Sequence, residues 1–178
     1  MKTSGFSGQT ERVRTDPLET PGINASRTGH VLRAWLVAVV PSLLYFFALV
    51  AIGADSLRPP AGAISATFAA YSILAAPLLE TALMFPLASL LALMIPRHTR
   101  VQIVLLAAIC ALAHRFGGGW QQVIASLWPF LIYSATMTMW LKRSRRDAFV
   151  LTALVHALYN ATFFGVGALG NFLAAPDG

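Results

Sequence analysis

Four polar residues lie within long apolar stretches of this sequence and have side chains that could do chemistry: Glu80, His114, His156 and Asn160. Glu80 is the only charged residue in the run 59–96. A carboxylate at the centre of a bilayer costs at least about 2.5 kcal/mol, so it normally faces a bundle interior and has a partner. The pattern predicts acid–base chemistry or proton transfer at Glu80. The alternative is a protonated Glu80 that only hydrogen-bonds neighbouring helices.

Composition places these residues in a membrane protein. The chain has 178 residues, enough for one domain, and is 57% hydrophobic and only 11% charged. Several apolar runs of 18 or more residues predict an all-α, polytopic helical bundle. The net charge of +6 comes from short basic clusters beside the apolar runs, which argues against nucleic-acid binding. The single cysteine, Cys110, excludes an intrachain disulfide and a cysteine-based metal site.

The apolar runs define the predicted domain organisation. Residues 1–29 are polar and are expected to form a disordered cytoplasmic tail, and residues 173–178 a short second tail. Between them, 30–172 is predicted to hold about five transmembrane helices. The second apolar segment is too long for one upright helix, and Pro77 predicts a break in it.

Basic residues predict how the bundle is oriented. With five crossings and a cytoplasmic N-terminus, the clusters around Arg97 and Arg146 both fall on the cytoplasmic side. The only basic residues in the outer loops are then Arg58 and Arg115. We therefore expect an integral protein of the cell (inner) membrane with its N-terminus in the cytoplasm.

This topology brings the polar residues to similar depths. Glu80 lies 16 residues from Pro96, while His114 and Asn160 lie 14 and 13 residues from the cytoplasmic starts of their helices. At about 1.5 Å per residue they should fall within one helical turn of each other, with His156 a turn lower. His156 and Asn160 share one face of the last helix. Beside that face runs a stripe of small residues that permits close helix approach: Ala153, Ala157, Ala161 and Gly165.

Glu80-Thr81, Ala113-His114 and His156-Ala157-Leu158-Tyr159-Asn160, in that order, resemble the three-motif signature of the CPBP family. This family comprises the CAAX-protease and bacteriocin-processing intramembrane proteases. The resemblance covers residues 76–164.

The three motifs match to different degrees. The third motif, His-x-x-x-Asn, is complete. The second keeps its histidine, with Cys110 at the position of the family's Phe. The first keeps its leading Glu80, but Thr81 replaces the second Glu and Phe85 replaces the Arg.

The resemblance implies an intramembrane endopeptidase that hydrolyses a peptide bond of a membrane-associated or lipid-anchored protein or peptide. It assigns Glu80 and His114 to the activation of a water molecule, and His156 and Asn160 to stabilisation of the oxyanion. No cofactor is expected in this form. The alternative is a zinc enzyme in which Glu80, His114 and His156 ligate the metal.

Other classes of protein remain open at this point. A small proton-coupled transporter could use Glu80 and the histidines as a relay, and would move protons without cleaving peptides. A b-type cytochrome could use His114 and His156 as haem ligands, in which case the purified protein would be coloured. A catalytically inactive relative could act as a membrane interaction protein. The partners expected from the sequence are the lipid bilayer and a protein or peptide substrate, and the sequence leaves the substrate's identity and the oligomeric state open.

Overall fold

The computed structural model describes residues 26–52 and 65–174, and these residues form helices with no strand among them. The elements are α1 (Arg27–Ala51), α2 (Ala66–Ala70), a π-helical turn (Tyr71–Ala75), α3 (Ala76–Met94), α4 (Thr99–Ala113), α5 (Arg115–Leu141) and α6 (Arg145–Ala174). The predicted all-α class is confirmed.

The predicted tails lie mostly outside the described residues. α1 begins at Arg27, where the Ser26 side chain accepts a hydrogen bond from the backbone N–H of Gly29. The bundle therefore starts three residues before the predicted boundary at residue 30, because Ser26 caps the helix there. Residues 1–25 and 175–178, which include most of both predicted tails, lie outside the described ranges.

Four helical segments of the described chain are long and apolar enough to cross a membrane: Arg27–Ala51, Ala66–Met94, Gly119–Leu141 and Arg145–Gly170. The chain is thus an integral membrane protein by length and composition. α4 is also apolar but has only 15 residues, about 22 Å of helix against a hydrocarbon core of about 30 Å. A fifth crossing by α4 stays a prediction.

The second apolar segment is irregular close to the predicted break at Pro77. It is one continuous helical segment, and the irregularity expected at Pro77 takes the form of the π-helical turn just before it. A proline inside a helix lacks an N–H and its ring clashes with the carbonyl four residues earlier. The wider π turn accommodates both defects without separating α2 from α3.

The core lies where α3, α4, α5 and α6 meet. Its fully buried side chains include Met84, Leu106, Met137 and Val155, one from each of these helices. α1 packs on the outer side of α5 and α6. Two indole N–H groups attach it there, from Trp35 to Thr162 Oγ1 and from Trp128 to the carbonyl of Val37.

α4 and α5 are joined without a loop. His114 alone separates the two helices, and a sharp kink follows at Gly119, whose φ of 69° favours glycine. Gly119 therefore kinks the first turns of α5. His114 is held at this corner, at the end of α4.

Candidate functional site

Three of the four predicted residues meet at one point in the bundle. Glu80 Oε2 of α3 lies 3.9 Å from Nε2 of His114 and 3.6 Å from Nε2 of His156. Both distances are slightly longer than a hydrogen bond. Both imidazoles therefore face the same carboxylate oxygen, and a single small molecule could contact all three groups.

His114 is oriented by its own helix. Its Nδ1 lies 3.0 Å from the carbonyl oxygen of Cys110, one turn earlier in α4. In the tautomer that carries its proton on Nδ1, the ring donates to this carbonyl, and Nε2 presents a lone pair toward Glu80. Cys110 stands where the family motif has Phe, and its backbone carbonyl holds the histidine whatever the side chain is.

His156 is held by an aromatic wall on α5. Only 6% of its side chain is exposed, and its ring stacks on Tyr133 with centroids 4.4 Å apart. Phe130 lies one turn earlier on the same face of α5. The centroid of its ring is 5.0 Å from that of His114 and 6.0 Å from that of His156. Sequence reasoning missed both aromatic residues, although their spacing of three places them on one helix face.

Asn160 points elsewhere. Its Nδ2 donates to the backbone carbonyl of Ser72, in the π-helical turn, at 2.8 Å. The sequence predicted Glu80, His114 and Asn160 at one depth in the membrane, with His156 one turn lower. The predicted depth of His156 is wrong, because His156 itself contacts Glu80. Helices tilt and pack at depths set by their neighbours, so counting residues from the membrane surface gives depth only to about a turn.

Several buried side-chain atoms on α3, α5 and α6 have no hydrogen-bond partner within the described residues. Among the described residues, most of the buried side-chain atoms without a hydrogen-bond partner belong to the site residues or their immediate neighbours in the helices. They are Glu80 Oε2, Thr81 Oγ1, Tyr133 OH, Ser134 Oγ, Thr152 Oγ1 and His156 Nδ1. An unsatisfied buried polar group costs about 1–3 kcal/mol, so atoms without a protein partner normally bind water or a ligand.

An apolar cavity of about 400 Å³ opens beside Glu80 and His114, between α3 and α4. The two polar residues stand in its wall, and the remaining lining is hydrophobic: Leu83, Met84, Pro86, Leu87, Ile109, Cys110, Ala113 and Phe130. Leu83 and Ile109 are exposed on the outer surface of the bundle, which faces lipid in a membrane. The cavity can accept an apolar group that arrives from the bilayer.

The zinc alternative requires Glu80, His114 and His156 to act as three ligands. Two imidazoles and a carboxylate are a donor set that zinc accepts. Within the residues that the structure describes, however, no group of three or more His, Cys, Asp and Glu side chains is arranged to hold a metal ion. The metal-free form and its zinc alternative therefore both stay predictions.

Comparisons with known proteins do not extend the family resemblance: no family model, curated protein or solved structure matches this chain. The resemblance rests on the motif residues alone.

Proposed function

We propose that this protein is an intramembrane endopeptidase that hydrolyses a peptide bond in a membrane-associated or lipid-anchored protein or peptide. The observation that carries the proposal is the meeting of Glu80, His114 and His156, from three different helices, beside an apolar cavity. The order of these residues in the family-like motifs adds support.

The contacts fit a water-activating mechanism. A water between Glu80 Oε2 and His114 Nε2 transfers a proton to the carboxylate as its oxygen attacks the peptide carbonyl. The carbonyl oxygen becomes an oxyanion, which accepts a hydrogen bond from Nε2–H of His156. The tetrahedral intermediate then expels the amine, which takes the proton from Glu80. The amide of Asn160 donates to the Ser72 carbonyl and takes no part in this step.

The cavity defines a substrate class. Its lining is apolar apart from Glu80 and His114, so it should take an apolar side chain or alkyl group next to the scissile bond. Because Leu83 and Ile109 are exposed at the lipid-facing surface, the substrate would enter laterally from the bilayer. A membrane-anchored polypeptide meets both conditions.

The proposed location is the cell (inner) membrane, with the N-terminus in the cytoplasm. Support comes from the basic clusters beside α4 and α6, which include Arg97 and Arg146. Reporter fusions after these two residues should both report a cytoplasmic location, which requires α4 to cross the membrane. An external signal from either fusion would contradict this orientation.

One alternative has an observation in its favour. The hydroxyls of Tyr133, Ser134 and Thr152 are buried without a protein partner, and Tyr133 stacks on His156. Such groups could carry protons in a small proton-coupled transporter. Such a protein would move protons across proteoliposomes and produce no new peptide termini. A catalytically inactive interaction protein would do neither.

The test compares Glu80→Gln with the wild type in cells at matched protein levels. Glutamine keeps the size and hydrogen-bonding capacity of glutamate but cannot act as the base. New peptide termini in the membrane fraction, identified by mass spectrometry, should appear with the wild type and be lost with Glu80→Gln. Asp147→Asn, the same chemical change outside the site, should leave them unchanged. Equal sets of termini from wild type and Glu80→Gln would refute the proposal.

A further inference from the structure

The π-helical turn before α3 leaves one backbone carbonyl without a donor in its own helix. The N–H of Ala76 donates to the carbonyl of Tyr71, five residues earlier. In the same register the carbonyl of Ser72 would accept from residue 77, but Pro77 has no N–H. In an α-helical register it would accept from Ala76, whose N–H is already used. Neither register therefore supplies a donor to Ser72.

Asn160 of α6 supplies that donor from across the helix interface. Its side-chain Nδ2 lies 2.8 Å from the Ser72 carbonyl oxygen. A backbone carbonyl left unsatisfied in the hydrocarbon region costs several kcal/mol, because no water reaches it. Pro77 is itself buried against the bundle. The proline creates the need for a donor to Ser72, and the asparagine that meets it lies 88 residues after Ser72 in the sequence.

We infer that Asn160 is a positioning residue, which replaces the backbone donor that Pro77 removes and so fixes the Glu80 helix against the His156 helix. The Ser72 contact lies eight residues before Glu80, about two helical turns. On α6, His156 lies one turn before Asn160 and 3.6 Å from Glu80.

These two contacts join α3 and α6 at different heights. Together they set both the depth of Glu80 and the rotation of its helix about its own axis. A misplacement of about 1 Å at a reacting group can cost about 10²-fold in rate. The effect on cleavage rests on the proposed endopeptidase function, whereas the effect on helix structure does not.

A double-mutant cycle between Pro77 and Asn160 tests the inference. Asn160→Ala in the wild-type background should lower the midpoint of thermal unfolding in detergent by about 2–4 °C. It should also slow cleavage by about tenfold or more. Pro77→Ala restores an N–H at residue 77, so the Ser72 carbonyl gains a backbone donor. In that background Asn160→Ala should lower the midpoint by less than half as much and slow cleavage by a smaller factor.

The matched control is Thr162→Ala, which removes a different interhelical hydrogen bond of α6, the one from Trp35 at 3.1 Å. Its effect should simply add to that of Pro77→Ala, because the two residues share no partner. Equal losses on Asn160→Ala in both backgrounds, in the midpoint and in cleavage, would overturn the inference. Asn160 would then act directly on the substrate.

Hydrogen exchange gives a second measurement that needs no activity. In nanodiscs, Asn160→Ala should speed amide exchange across residues 72–80 relative to the wild type, because the turn loses its external donor. Unchanged exchange in this segment would also overturn the inference. If Glu80→Gln leaves cleavage intact, the protease proposal fails, and the unfolding and exchange results still decide the role of Asn160.

Discussion

The first turn of α6, around Asp147, and the buried stretch from Thr152 to His156 use polar side chains in opposite ways. At the start of the helix, Asp147 Oδ2 accepts from Arg27 Nη2 at 2.8 Å, and the Asp147 backbone N–H donates to Ser144 Oγ. Five and nine residues further along the helix, Thr152 Oγ1 and His156 Nδ1 are buried without a protein partner. The first arrangement joins helices at the membrane edge. The second keeps hydrogen-bonding capacity free inside the bundle, at a cost in stability.

This difference indicates which polar residues hold the structure and which serve a function. A paired group at an exposed edge contributes about 0–1 kcal/mol and tolerates replacement. An unpaired group in the interior destabilises the fold, so its retention requires another reason. Replacing a paired residue at the edge should therefore lower stability slightly and leave activity unchanged. Replacing an unpaired residue in the interior should raise stability and lower activity.

The largest expected effect concerns the pair Glu80 and His114. Each of Glu80→Gln and His114→Ala should lower the rate of peptide cleavage by about 10²–10⁴, because each removes half of the water-activating pair. The double variant should lose little more than either single variant, since the two residues act as a unit. Single-turnover rates on a substrate identified from the cellular termini would measure this. Independent, multiplying losses would show that the two residues do not cooperate.

The next effect concerns the cavity. Leu87→Trp should fill part of the 400 Å³ space and raise KM for substrates with a large apolar group by about tenfold or more, with less change in kcat. Leu93→Trp is the matched control on the same helix, because Leu93 is 80% exposed on the bundle surface. Equal effects of the two substitutions would show that the cavity does not bind substrate.

A smaller effect should separate unpaired from paired hydroxyls. Thr152→Val removes a buried hydroxyl without a partner and should raise the free energy of unfolding in detergent by about 1 kcal/mol. Ser42→Ala removes a hydroxyl that donates to the carbonyl of Ala38 at 2.8 Å, and should lower it by about 0.6 kcal/mol. Reversible unfolding curves compare the two. A loss of stability in Thr152→Val would mean that its hydroxyl is satisfied in the folded bundle.

The smallest expected effect is that of metal removal. In the metal-free mechanism, chelators should leave the cleavage rate unchanged, and elemental analysis should find no stoichiometric zinc. About one zinc per chain, lost together with activity on His114→Ala, would establish the zinc alternative instead.

The fold was largely readable from the sequence, because apolar runs of membrane length report helices directly. The meeting of Glu80 with a histidine was predicted from residue counts, since short connections place neighbouring helices side by side. Counting could not predict that His156 rather than Asn160 would contact Glu80. That choice depends on helix tilt and on side-chain packing between helices distant in sequence.

Two further features lay beyond sequence reasoning. Pro77 predicted a break, but a hydrogen bond from α6 to Ser72 lets the helix continue through a π turn. Phe130 and Tyr133 looked like ordinary apolar filling in a long hydrophobic run. Only their contacts with His114 and His156 distinguish them from the lipid-facing residues around them.

The attachment of α1 to α6 has a consequence for biogenesis. Arg27 and Trp35 bind Asp147 and Thr162, residues that the ribosome adds about 120 positions later. The part of the α1 surface that α6 covers must therefore stay in lipid until α6 has been inserted. The same late helix brings His156, so the nascent chain holds an unfinished site throughout most of its synthesis. The proposed endopeptidase would therefore be inactive toward its neighbours at the translocon until the bundle is nearly complete.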